Sequence, residues 1–80
     1  MNGARSIESV YDPTDSNVVY WVAWSAQDNP NADPWARDTL LHRVFRDDRR
    51  EQHATPISEA MSRDEAYKLL EQMELLFNGG

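Results

Sequence analysis

The stretch from Met61 to Phe77 limits the fold more than any other part of the chain. Ser62 is a natural helix N-cap, and Glu65 three residues later completes an S-x-x-E capping box. Ala66, Leu69, Leu70, Met73, Leu76 and Phe77 recur at helical spacing and predict one apolar stripe. Asn78-Gly79-Gly80 predicts the stop, because glycine accepts the left-handed conformation that closes many helices. A helix that is apolar on one side only must lie on something. The rest of the chain has to supply that surface.

Asn17–Ala26 (NVVYWVAWSA) is the clearest strand, dense in β-branched and aromatic residues. Its even positions, Val18, Tyr20, Val22, Trp24 and Ala26, make the more apolar face; Val19, Trp21, Ala23 and Ser25 make the other. One helix covers one face of a sheet, which assigns Trp21 to the uncovered side. Ser6–Tyr11 reads as a short first strand, with a turn by composition at Asp12–Ser16. Gln27–Asp38 (QDNPNADPWARD) is a long loop rich in turn formers, of a length that is often functional in small domains.

Thr39–Arg46 (TLLHRVFR) fits two readings. Leu40, Leu41, Val44 and Phe45 suit a helix stripe, with Asp33-Pro34 as N-cap and first-turn proline. The preceding strand needs partners, however, so we read 39–46 as a strand, turning at Asp47–Arg50 into Gln52–Ile57. Pro56 confines that last strand to a sheet edge. The expected architecture is α+β: a single domain, 1–80, with a small antiparallel sheet of three to four strands and one C-terminal amphipathic helix packed on one face.

At 80 residues the chain suits one small core and leaves little room for a deep substrate cavity. Cysteine is absent, which excludes disulfides and thiolate zinc sites. Met1–Val10 lacks an apolar signal-peptide core, and no run has the length of a membrane span. These features predict a cytoplasmic protein, in the host cytoplasm if it is phage-encoded. The net charge of −6 opposes binding to a phosphate backbone and favours basic protein partners. Seven of the eight basic residues are arginine, and Arg37, Arg43, Arg46, Arg49 and Arg50 lie close together. A local basic stripe on an acidic protein is therefore open as an alternative binding surface.

Chemistry is sparse. His42 and His53 become neighbours only if their strands pair in a particular register, and their spacing matches no metal-ligand motif. No nucleophile elbow, P-loop or dinucleotide fingerprint is present. We expect no catalytic residue, no metal and no cofactor. Asp47–Glu51 reads most simply as a solvated turn. The tryptophans carry more: exposed Trp, Tyr and Arg are the usual anchors of interfaces. Trp21 and Trp35 are the expected apolar contacts, and Asp12, Asp15, Asp28, Asp33, Glu71 and Glu74 the expected acidic ones.

The segment Ala54-Thr55-Pro56-Ile57-Ser58-Glu59-Ala60-Met61-Ser62-Arg63-Asp64-Glu65-Ala66 resembles the strand-into-capped-helix ending of small phage and prophage proteins. With the rest of the chain, it resembles compact acidic inhibitors of that origin, of which anti-CRISPR proteins are the best known. The resemblance implies inhibition by stoichiometric binding: an acidic surface occupies a nucleic-acid channel or blocks recruitment of a nuclease. It transfers no residue role. The expectation is a non-enzymatic inhibitor that binds a basic protein partner, such as a CRISPR effector or another nucleic-acid-binding complex, with no direct contact to nucleic acid or membrane. The alternatives are a nucleic-acid binder using the Arg43–Arg50 stripe, or a homodimer joined through the uncovered sheet face.

Overall fold

The computed structural model describes residues 7–33, 35 and 39–79. Four strands, β1 (Ser9–Asp12), β2 (Asp15–Trp24), β3 (His42–Asp48) and β4 (His53–Pro56), are followed by helix α1 (Arg63–Asn78). The sheet order is β1-β2-β3-β4 and every neighbouring pair is antiparallel. The helix packs across β1, β2 and β3 on one face. This is the expected α+β class, with the strand count at its upper figure. Ser6, Pro34, Arg37 and Gly80, which carried sequence expectations, lie outside the described residues.

The buried core is Val10, Val18, Tyr20, Val44 and Leu70, with Val18, Val44 and Leu70 fully inaccessible. Strand alternation explains its position. Val10 pairs with Tyr20, and Val22 with Val44, so these residues share the side that the helix covers. Ala66 and Leu70 press onto that side, flanked by Tyr67, Leu69, Met73 and Phe77. Tyr20 and Phe77 rings meet at 5.6 Å. Leu76, expected in the stripe, is instead 75% exposed. At about 100° per residue it lies roughly a quarter-turn from the Leu70–Met73–Phe77 line, beyond the reach of the sheet.

The 39–46 segment resolves as strand, shifted to His42–Asp48. The β3–β4 turn is correspondingly later than expected and occupies residues 49–52. Asp48 therefore ends a strand rather than sitting in a solvated turn, and it is 4% exposed. Gln52 closes the turn at φ 52°, the left-handed region that non-glycine residues rarely adopt. Pro56 does lie in the edge strand β4.

The helix starts as its capping box specifies. Ser62 Oγ accepts from the Glu65 amide at 3.2 Å and donates to Glu65 Oε1 at 2.9 Å. Its end departs from expectation. Gly79 stays right-handed (φ −90°, ψ −1°) and its amide donates to Leu75 O at 2.7 Å, the ordinary four-residue helical bond, so the helix ends without a left-handed cap.

Two stability measurements test these local readings. Ser62→Ala should lower the unfolding free energy by about 1 kcal/mol, through loss of the cap, and reduce the denaturant midpoint without altering the slope. Gln52→Gly should raise stability by about 0.5–1 kcal/mol, because glycine enters the left-handed region without a Cβ clash. A midpoint that drops in that variant would contradict the strained-turn assignment.

Candidate protein-binding face

The side of the sheet opposite the helix carries no covering element among the described residues. The register places Ser9, Trp21, Phe45 and Pro56 in one row across the four strands, and Tyr11, Val19, Asp47 and Ala54 in the next. Trp21 and Phe45 stack with ring centroids 5.8 Å apart and an interplanar angle of 30°. Both are half-buried, while Tyr11 is 56% exposed. Arg49 stands over the Tyr11 ring at 5.6 Å and donates to its hydroxyl at 3.2 Å. Val19 is buried on this side, flanked in register by Tyr11 and Asp47. The result is an aromatic band bounded by charge.

A bidentate ion pair edges that band. Arg43 Nε donates to Asp28 Oδ2 at 2.7 Å, and Nη2 to Oδ1 at 2.8 Å; Nη1 reaches Ser58 O at 3.1 Å. Beside it is an open cleft of about 310 Å³ lined by Ser25, Gln27, Asp28, Arg43, Phe45 and Pro56. The loop that delivers Asp28 is tied down by Asn29. Its amide donates to Ser25 O and Leu41 O at 2.8 and 3.1 Å, and its Oδ1 accepts from the Leu41 amide at 2.7 Å. One side chain thus joins both ends of the long β2–β3 connection.

The expected contact residues do not form one surface. Trp21 lies on the open face, as alternation requires. Trp35 is 93% exposed in the loop, where the Asp33 carboxylate accepts from its backbone amide at 2.9 Å. Glu71 is exposed and Glu74 half-buried on the helix, which lies on the other side of the sheet. Asp12, Asp15 and Asp28 have structural partners. Asp12 accepts from the Thr14 amide and hydroxyl and from the Tyr20 hydroxyl. Asp15 accepts from the Asn17 amide and from Arg50 at 2.6 Å. Phe45 and Tyr11 were not expected as contacts from sequence, and Arg49 only as part of the alternative basic stripe. The alternation of TLLHRVFR carried a signal for Phe45, but pairing it with Trp21 needed the register across a long loop.

The described arginines of the basic stripe, Arg43, Arg46, Arg49 and Arg50, have partners within the chain. Arg50 donates to Asp48 through Nε and Nη2, at 3.0 and 2.9 Å, and also reaches Asp15. Arg46 sits beside the Tyr20 hydroxyl and within the field of Asp12 and Asp48. These contacts lower the Asp28 and Asp48 carboxyls from the usual aspartate value, chiefly through the arginine hydrogen bonds. Asp12 is lowered chiefly by Thr14. Burial, and then the bond to Asp12, raises the Tyr20 phenol.

The two histidines lie at opposite ends of β3: His53 pairs with Asp48, and His42 with Trp24 and Met61. The neighbouring-histidine cluster considered from sequence does not form. No group of metal-ligating side chains occurs among the described residues. No described helix is long and apolar enough to cross a membrane. No family model matches the chain, and no significant similarity was found to curated proteins or to solved structures.

The depressed aspartates fix a pH dependence. Above the ordinary aspartate value of 3.8, these carboxyls are ionised in folded and unfolded chains alike, and their contribution is complete. As pH falls, the unfolded chain takes up protons first, so stability drops until the folded carboxyls protonate too. The thermal midpoint should fall from about pH 4 downward, and Asp48→Asn should flatten that slope. A midpoint constant across the acid range would contradict the pairing described.

Proposed function

We propose that this protein is a non-enzymatic binding module that docks a protein partner through the open sheet face. In this reading it acts in the cytoplasm as a small stoichiometric inhibitor of a nucleic-acid-handling complex, of the anti-CRISPR kind. The observation that carries the proposal is the division of labour between charge and aromatics. Arg43, Arg49 and Arg50 are engaged within the chain, while Glu8, Glu51, Glu59, Asp64 and Glu71 are exposed. An acidic exterior on a molecule that also carries the Tyr11–Trp21–Phe45 band suits a basic protein surface better than a phosphate backbone.

The same pairing weakens the nucleic-acid reading, since Arg43 and Arg50 would have to leave carboxylates before reaching phosphates. Tyr11 and Trp35 are the most accessible aromatic anchors, at 56% and 93% exposure, and can be truncated without opening the core.

Purified RNA-guided nucleases and other nucleic-acid-processing complexes, assayed for target cleavage with this protein at equal concentration, provide the test. Inhibition should be stoichiometric, and association should slow as salt rises. Tyr11→Ala or Trp35→Ala should weaken binding by about 2 kcal/mol if that residue is an anchor. In a low-salt gel shift the protein alone should leave DNA and RNA unshifted. A salt-sensitive shift with nucleic acid, or inhibition indifferent to both substitutions and to salt, would overturn the proposal.

A further inference from the structure

A second concavity lies on the helix side of the sheet, away from the open face. It is a cleft of about 420 Å³ lined by Val22, Ala23, Trp24, Leu40, His42, Arg63 and Tyr67. That volume falls within the range of small-molecule sites. Its lining mixes apolar side chains with polar groups, and the surface it presents is more polar than apolar; Trp24 is 53% exposed at the strand end. His42 and Arg63 are the two basic side chains in the lining.

His42 is only 7% exposed. Its backbone is fixed by reciprocal bonds to Met61, His42 N to Met61 O at 2.7 Å and Met61 N to His42 O at 2.9 Å. Its Nδ1 lies 3.0 Å from Leu40 O. A carbonyl can only accept, so Nδ1 carries the hydrogen and the neutral ring keeps its lone pair on Nε2. No described residue hydrogen-bonds to Nε2. A buried polar atom without a partner carries a cost that a ligand can remove.

Arg63 supplies the charge. Its guanidinium is held 5.5 Å from the Tyr67 ring centroid, and no described carboxylate forms a salt bridge with it. This differs from Arg43 and Arg50, each bound to aspartate. Arg63 is also the first residue of a sixteen-residue helix, whose N-terminal end favours negative charge although Ser62 already caps the Glu65 amide. Asp64 and Glu65 follow it, but neither lines the cleft, and the Glu65 carboxylate is engaged by Ser62.

We propose that this cleft binds a small planar organic anion carrying a hydroxyl. Arg63 holds the carboxylate, Trp24 and Tyr67 flank the ring, and the hydroxyl donates to His42 Nε2. The site is independent of the protein-binding proposal, because Trp24, His42 and the helix lie on the side of the sheet opposite Trp21 and Phe45.

The test titrates 4-hydroxybenzoate into ¹⁵N-labelled protein, with the neutral 4-hydroxybenzamide in parallel. Saturable shifts are expected at His42, Arg63, Tyr67 and the Trp24 indole. The amide should bind at least tenfold more weakly, and Arg63→Gln should weaken the acid by a similar factor. The amide comparison uses unmodified protein, so it decides the matter even if the substitution disturbs the fold. Absence of saturable shifts, equal binding of acid and amide, or shifts confined to the Trp21–Phe45 face would overturn the proposal.

Discussion

The contact of Leu70 and Ala66 with the sheet core organises this molecule. Both are fully buried, as are Val18 and Val44 on the facing strands. Protein interiors pack at close to crystal density, so a substitution there is felt directly: truncating a buried leucine costs about 2–5 kcal/mol. In a chain this small that is a large share of the total. Everything else is arranged around keeping the helix on its side. The capping box aims its first turn, and the His42–Met61 bridge fixes the segment that feeds it.

Among the described residues, a single helix leaves the other side of four strands uncovered. The chain partly compensates by turning that side inward on itself. Trp21 lies against Phe45, Arg49 against Tyr11, and Arg43 grips Asp28 at the border. Each contact removes aromatic or charged surface from water, yet Tyr11 stays accessible. The arrangement holds a rigid, half-dry band, and rigid aromatic groups lose little entropy when a partner arrives. The partner proposed above would meet paired arginine here and acidic charge elsewhere on the molecule.

Much of the fold was legible because its signals were local. The Ser62–Glu65 cap, the alternation of Asn17–Trp24 and the edge position of Pro56 each depend on a few neighbouring residues. Where readings failed, distant geometry decided. Leu76 has the right spacing but meets no sheet, and Gly79 stays right-handed with a regular helical bond to Leu75 instead of a left-handed cap. The strand reading of 39–46 held despite its helix-like pattern, because β2 needed a partner, but its bounds shifted to His42–Asp48. The candidate site was harder to read for the same reason. Nothing local announces that Asp28 will hold Arg43 across fifteen positions, or that Asp12 and Asp15 will serve the hairpin and the arginine turn. Acidic residues in a sequence look alike until their partners are known.

The sequential strand order has a consequence for how the chain reaches this state. Each strand pairs with its immediate predecessor, so the sheet can grow by successive hairpins without long searches, and such topologies fold quickly. The core-side surface of Val18, Tyr20 and Val44 nevertheless has no cover until the final segment arrives. During synthesis the helix α1 leaves the ribosome after all four strands. A nascent chain lacking α1 would hold an assembled or fluctuating sheet with both faces wet. Docking of α1 is thus the step that commits this α+β unit, and disruption of that helix would leave the sheet in an aggregation-prone form.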